Sequence, residues 1–281
     1  MSDTLVRERP STSTLFHSNP ILSRLSRVTE RVDTECATYA GIASKTGFFL
    51  LMTLVGMVAQ LLAKAIFAGA PVWQTMTVYE DFTLTLSKPE AILFGAVMAA
   101  GLVAQLIGIF LRRTVPVSGT LYSLSQGYVI SFLVFNVLNG YEYLGMEALL
   151  LTVAVVAVMS WLYTSGRIRY SKKFRTVLLT LIIGSIAVAL LSVVAVVIPV
   201  TRPYAMAMLQ NAGLSITLDV IGIVIAALFL ISDFSLIQDC VEQRYPKEYE
   251  WDAAFGLVFT VIWVYLKILD LLMRLNNKNN K

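Results

Sequence analysis

The sequence predicts an all-α polytopic membrane protein, a bundle of seven transmembrane helices, and three observations carry that prediction. Of 281 residues, 57% are hydrophobic and 14% charged, with a mean hydropathy of +0.73; soluble domains hold about 45–50% apolar and about 25% charged residues. The apolar residues gather in seven runs of roughly 20, the length a helix needs to cross a hydrocarbon core of about 30 Å. Lys and Arg crowd into alternate loops, the pattern that fixes the orientation of membrane helices. A water-soluble fold cannot absorb this much apolar surface, and the spans leave no length for a sizeable extramembrane domain.

Residues 1–46 are polar and mixed in charge, and read as a cytoplasmic N-terminal arm. They lack the short basic region and apolar core of a cleavable signal. The spans run Gly47–Ala68, Glu90–Leu111, Gly119–Leu138, Glu147–Ser165, Thr176–Val200, Ile216–Gln238 and Ala253–Leu275, making a transmembrane domain over 47–275. Residues 276–281 read as a short disordered tail. Lys64 lies near the end of the first span, where its ammonium can snorkel to the interface. The second span carries Gly95, Gly101 and Gly108 with Ala91, Ala99 and Ala104, a small-residue face suited to close helix packing. Ser123, Ser125, Gln126, Ser131 and Asn136 interrupt the third; such groups are costly against lipid, so this helix faces its neighbours or a wet cavity. Tyr122, Tyr128, Trp161, Tyr163, Trp251 and Tyr265 mostly sit near span ends, as an aromatic belt does.

Arg7, Arg9, Arg24, Arg27, Arg31 and Lys45 precede or open the first span. Arg112 and Arg113 follow the second, Arg167, Arg169, Lys172, Lys173 and Arg175 the fourth, and Arg244 and Lys247 the sixth. The alternate loops carry only Lys88 and Arg202, and the tail Arg274, Lys278 and Lys281. The positive-inside rule then puts the N-terminus in the cytoplasm and the C-terminus outside, in the cell (plasma) membrane. Cys36 and Cys240 both fall on the reducing side and read as free thiols.

The net charge of +4 does not point to nucleic acid, because the basic residues flank apolar runs without aromatic interleaving. No phosphate-cradling loop, metal triad or nucleophile with its base is present, so the reading is a non-enzyme without a cofactor. His17 lies in the polar arm and reads as solvated. The residues that call for explanation are the ionisable ones inside spans, Asp219, Asp233, Lys267 and Asp270. Lys267 and Asp270, three apart, share a helix face and can neutralise each other. Alternatively Lys267 pairs with Asp233 across the last two helices, although their depths match poorly at about 1.5 Å of rise per residue. Arg112 or Arg113 competes for Asp233 at a more compatible depth.

Four segments, in their order and spacing, resemble one family. They are Ser18-Asn19-Pro20-Ile21-Leu22-Ser23-Arg24-Leu25; Tyr39 and Gly41 with Lys45-Thr46-Gly47; Lys173-Phe174-Arg175; and Glu242, Pro246-Lys247, Glu250-Trp251 and Ala254-Phe255-Gly256-Leu257. Together, from Ser18 to Leu275, the chain is similar to the bacterial branch of the Bax inhibitor-1 family. The resemblance implies six helices around a hydrophobic central seventh, and a pH-sensitive calcium leak. It also implies a proton-sharing acid pair on helices six and seven, with an arginine at the end of helix two latching onto the first acid. By position Asp233 matches that first acid and Arg112 the latch, while Lys267 stands where the family carries Asp or Glu. A lysine there removes the mutual pKa shift of two close carboxylates and their attraction for cations, so the proton-sharing switch is expected to be absent or rebuilt. Ser235, Gln238 and Gln126 also stand where related bacterial sequences tend to carry acids.

Two functions follow. The first is a cation leak, calcium foremost, with Asp233, Lys267, Arg112 and Asp270 as the ion path or gate. The second is a non-conducting regulator that binds another membrane protein, such as a membrane protease, with a fixed ion pair at Lys267 where an ion path is expected. The lipid bilayer is a partner in both. A proton-coupled transporter is weaker, for no repeat or broken helix pair supports it.

Overall fold

The computed structural model of the chain describes residues 36–79, 82–168, 170–198, 200–203 and 212–279. The N-terminal arm up to residue 35, with His17 and the segment Ser18–Leu25, lies outside the described residues, as do Arg169 and Lys281. Seven α-helices stand among the described residues. They are α1 (Tyr39–Phe67), α2 (Lys88–Phe110), α3 (Val115–Phe132), α4 (Tyr143–Thr164), α5 (Lys172–Val197), α6 (Ala212–Glu242) and α7 (Tyr249–Asn279). Five of them, α1, α2, α4, α6 and α7, are long and apolar enough to cross a membrane. Their outward faces carry the side chains lipid requires: Leu54, Leu62, Ile66, Phe110 and Leu150 are all more than half exposed. The chain is a multi-pass membrane protein.

Local chemistry sets the helix ends. The Thr38 hydroxyl accepts from the Gly41 amide at 3.0 Å, an N-cap that starts α1 about two turns before the apolar run begins at Gly47. The Ser87 amide donates to the Glu90 carboxylate at 3.0 Å, and with Pro89 in the first turn this opens α2 as a capping box. Ser171 caps α5 by accepting from the Phe174 amide at 3.2 Å. At the other ends, Gly166 (φ 68°) follows α4 and Arg244 (φ 55°) follows α6 in the left-handed conformation, which ends a helix by turning the chain out of the ladder.

Two features differ from the sequence expectation. Between α1 and α2, read only as a loop, lies an antiparallel hairpin of β1 (Val72–Tyr79) and β2 (Phe82–Ser87), with Gln74 opposite Leu86 and Met76 opposite Leu84. Its strands are rich in β-branched Thr and Val, which favour extended backbone. The tail expected to be disordered from Asn276 instead continues α7 to Asn279, where Asn276 accepts a hydrogen bond from the Tyr143 hydroxyl of α4 at 3.3 Å.

The helices alternate in direction. α1 runs parallel to α3, and the two approach so closely that backbone meets backbone. A Cβ on Gly56 would lie 2.0 Å from the Leu124 carbonyl oxygen, and one on Gly127 would lie 1.8 Å from that of Thr53. Small residues permit such crossings. Of the small face read on α2, Gly101 and Gly108 lie against α3 at Ser125 and Ser118, whereas Gly95 meets nothing. The polar residues of α3 turn inward as expected. Ser131 donates to Gln60 of α1 at 2.8 Å, and Gln60 donates to Asn136 at 3.2 Å. Asn136 sits in a π-helical turn, Leu133–Val137, whose Phe135 carbonyl accepts from Lys64 at 2.5 Å.

α7 packs on α1, α3, α4 and α6. Half of its most apolar stretch is buried, against 17–39% for the other four apolar spans, so it is the most enclosed of the five. Phe255 of α7 anchors an aromatic cluster, its ring 6.0 Å from Phe49 and 5.4 Å from Tyr122. α5 joins through Leu178, which packs with Ile225 and Phe229 of α6.

Candidate functional site

The charged side chains of the bundle fall at three depths along the antiparallel pair α6–α7. At the near end, where α1 and α7 begin, α7 opens with Glu250 and Asp252 in its first turn. That placement suits the positive dipole end of a helix. The Glu250 side chain, 1% exposed, pairs with the Lys45 ammonium of α1 and accepts from the Thr38 amide at 2.9 Å and hydroxyl at 3.2 Å. Beside it the backbone of Ala37 donates to the Tyr245 carbonyl at 2.7 Å, so the start of α1 is pinned to the turn between α6 and α7.

Arg112 occupies a short 3-10 turn between α2 and α3. Its guanidinium donates to Glu248 at 3.0 Å, lies 3.6 Å from the Asp252 carboxylate, and stacks over the Tyr249 ring at 3.5 Å from the centroid. A planar, delocalised cation suits this mixture of carboxylate and ring face. The structure thus brings Arg112 to the acids that open α7.

Asp233 lies deeper. It sits on α6 in a run, Leu230, Ile231, Ser232 and Asp233, in which every residue is 0% exposed. Nine residues separate it from the end of α6 at Glu242, roughly 14 Å at 1.5 Å of rise per residue.

At the far end stands a four-charge cluster. The Arg274 Nε lies 2.7 Å from Asp219 of α6 and 3.4 Å from Asp270 one turn earlier on α7. Lys267 reaches Asp219 at 4.0 Å, its alkyl stem passing close over Gly222. Lys267 and Asp270 therefore share a cluster, but each finds its partner through Asp219 or Arg274. Arg274 was read as a tail residue. The spacing Lys267, Asp270, Arg274 puts all three on one helix face and is the signal that could have found it. For Glu250 and Asp252 the signal was weaker, because five acids crowd 239–252 and the sequence does not say which turn inward.

Cys36 and Cys240 are free thiols, the second fully buried at the near end. Chemically the site is a core with one deep carboxylate, closed at each end by ion pairs. A family model described as Bax inhibitor 1 like matches residues 19–277. Comparison with curated proteins gives no match.

Proposed function

The chain belongs to the Bax inhibitor-1-like family, and from that premise we propose that it is a seven-span cation leak, with α7 at the centre and calcium the first candidate ion. The observation that carries this reading is Asp233, a carboxylate wholly enclosed in the bundle. Ionisable groups at that depth are expensive and mark ion paths more often than packing. In this reading Asp233 is the acid a cation passes, and Arg112, held by Glu248 and Asp252, guards the near mouth. Lys267 and Asp270 belong to the far gate, where the cation of Lys267 opposes calcium unless Asp219 keeps it neutralised. In this reading seven crossings leave the two ends on opposite faces of the plasma membrane, and the basic loops favour the cytoplasm for the N-terminus. No catalytic step is assigned to the chain.

Calcium flux into proteoliposomes tests it. The natural chain should conduct, and Asp233→Asn should lower the flux severalfold; a natural chain that carries no calcium removes the reading. Lys267→Asp should raise flux, since it replaces the repelling cation and leaves Arg274 among three carboxylates.

A second reading has its own support. The far cluster joins α6 to α7 by ion pairs that need no ligand, as befits a closed bundle acting as a non-conducting regulator of another membrane protein. Crosslinking in native membranes would then trap one specific partner while the proteoliposomes stay impermeable.

A further inference from the structure

A cavity of about 620 Å³ opens at the near end between α4, α6, the start of α1 and the turn before α5. Small-molecule sites span roughly 300–1,000 Å³, far more than a bare metal ion needs. One wall follows from the helix period: Ser235, Gln238 and Asp239 of α6 stand at i, i+3 and i+4 and face one way,. Tyr163 of α4 faces them, its hydroxyl donating to Gln238, and its ring lies 6.0 Å from that of Phe234. Tyr39 and Tyr170 complete the aromatic lining.

Among the described residues the charge of this cavity is one-sided. Among the described lining residues Asp239 is the charged one, and Arg167, on the turn after α4, lies over the Trp161 ring at 4.7 Å. One polar atom in the wall also lacks a partner among the described residues: the Tyr170 hydroxyl is shut off from solvent without a hydrogen bond. A buried hydroxyl left so destabilises the protein until something supplies the bond.

Aromatic faces around one carboxylate recognise ammonium groups, through the ring quadrupole and a charge-assisted contact. Calcium asks instead for six to eight converging oxygens, and an anion would be repelled by Asp239. We propose that this cavity binds a small organic ammonium ion, its head at Asp239 and its alkyl body against Tyr163 and Phe234, with the Tyr170 hydroxyl completing the contacts. Binding here is measured without reference to ion flux and stands or falls independently of any leak.

Calorimetric titration of the purified full chain with choline, ethanolamine and spermidine tests the assignment. At least one should bind saturably, Asp239→Asn should weaken it about tenfold, and Tyr170→Phe, which keeps the ring, about threefold. Melting temperatures no lower than that of the natural chain establish that both variants are folded. Absence of saturable binding by all three amines overturns the proposal, as does equal affinity in the Asp239→Asn chain. Calcium displacing the bound amine at lower concentration, in an Asp239-dependent way, would make this a metal site and overturn it too.

Discussion

At the near end of the α6–α7 pair, Glu250 and Asp252 are 1% exposed and their cations come from elsewhere, Lys45 on α1 and Arg112 on the turn between α2 and α3. At the far end all four charges belong to α6 and α7 themselves, and only Asp219, at 7% exposed, is buried; Lys267, Asp270 and Arg274 are 25–36% exposed. Ion pairs that water reaches contribute little, typically 0–1 kcal/mol, whereas removing one partner of a buried pair costs about 3–5 kcal/mol. The near end is therefore a joint that holds several helices in register. The far end is a local clasp between two, and it is the cheaper of the two to open.

Four measurements can break or sharpen that contrast. Glu250→Ala should destabilise most, by about 3 kcal/mol in reversible unfolding, because Lys45 and the Thr38 amide lose their acceptor at once; a loss below 1 kcal/mol would erase the distinction between the ends. Arg112→Ala should follow at about 2 kcal/mol, since it leaves Asp252 buried beside an uncovered Tyr249 ring. Asp219→Asn should cost only about 1 kcal/mol, as Arg274 keeps Asp270 as a partner 3.4 Å away. The smallest effect concerns salt: raising sodium chloride from about 0.1 to 1 M shortens the screening length from about 10 to 3 Å. The Asp219→Asn difference should then shrink by about half, while the Glu250→Ala difference stays unchanged; equal responses at both ends would mean that burial does not separate them.

Much of this was legible in the sequence. Seven apolar runs coincide with seven helices among the described residues, and the polar interruptions of the third correctly marked it as turned inward, because Ser131 and Asn136 could not be left in lipid. The first turns of α1 escaped notice, since Tyr39–Thr46 is polar and its helix depends on the Thr38 cap and the Glu250 contacts rather than on hydropathy. The hairpin escaped for a related reason: Thr83-Leu84-Thr85-Leu86 alternates as a strand does, but the alternation is short and lies between two far stronger helical signals. At the candidate site, Asp233 could be read as buried from its neighbours alone. The partner of Lys267 could not, because Asp270 lies nearby in sequence while Asp219 comes close only through the register in which α6 and α7 pack.

The close approaches of Gly56 to the Leu124 backbone and of Gly127 to the Thr53 backbone bear on how such a bundle can change shape. Where two backbones touch, no layer of side chains is left to compress or to slip past another rotamer, so α1 and α3 behave as a single beam. On the opposite flank α6 packs against α4 and α7. The two flanks of the core are thus built differently: backbone on backbone at α1 and α3, side chain on side chain at α6, the helix that carries Asp219, Asp233 and Asp239.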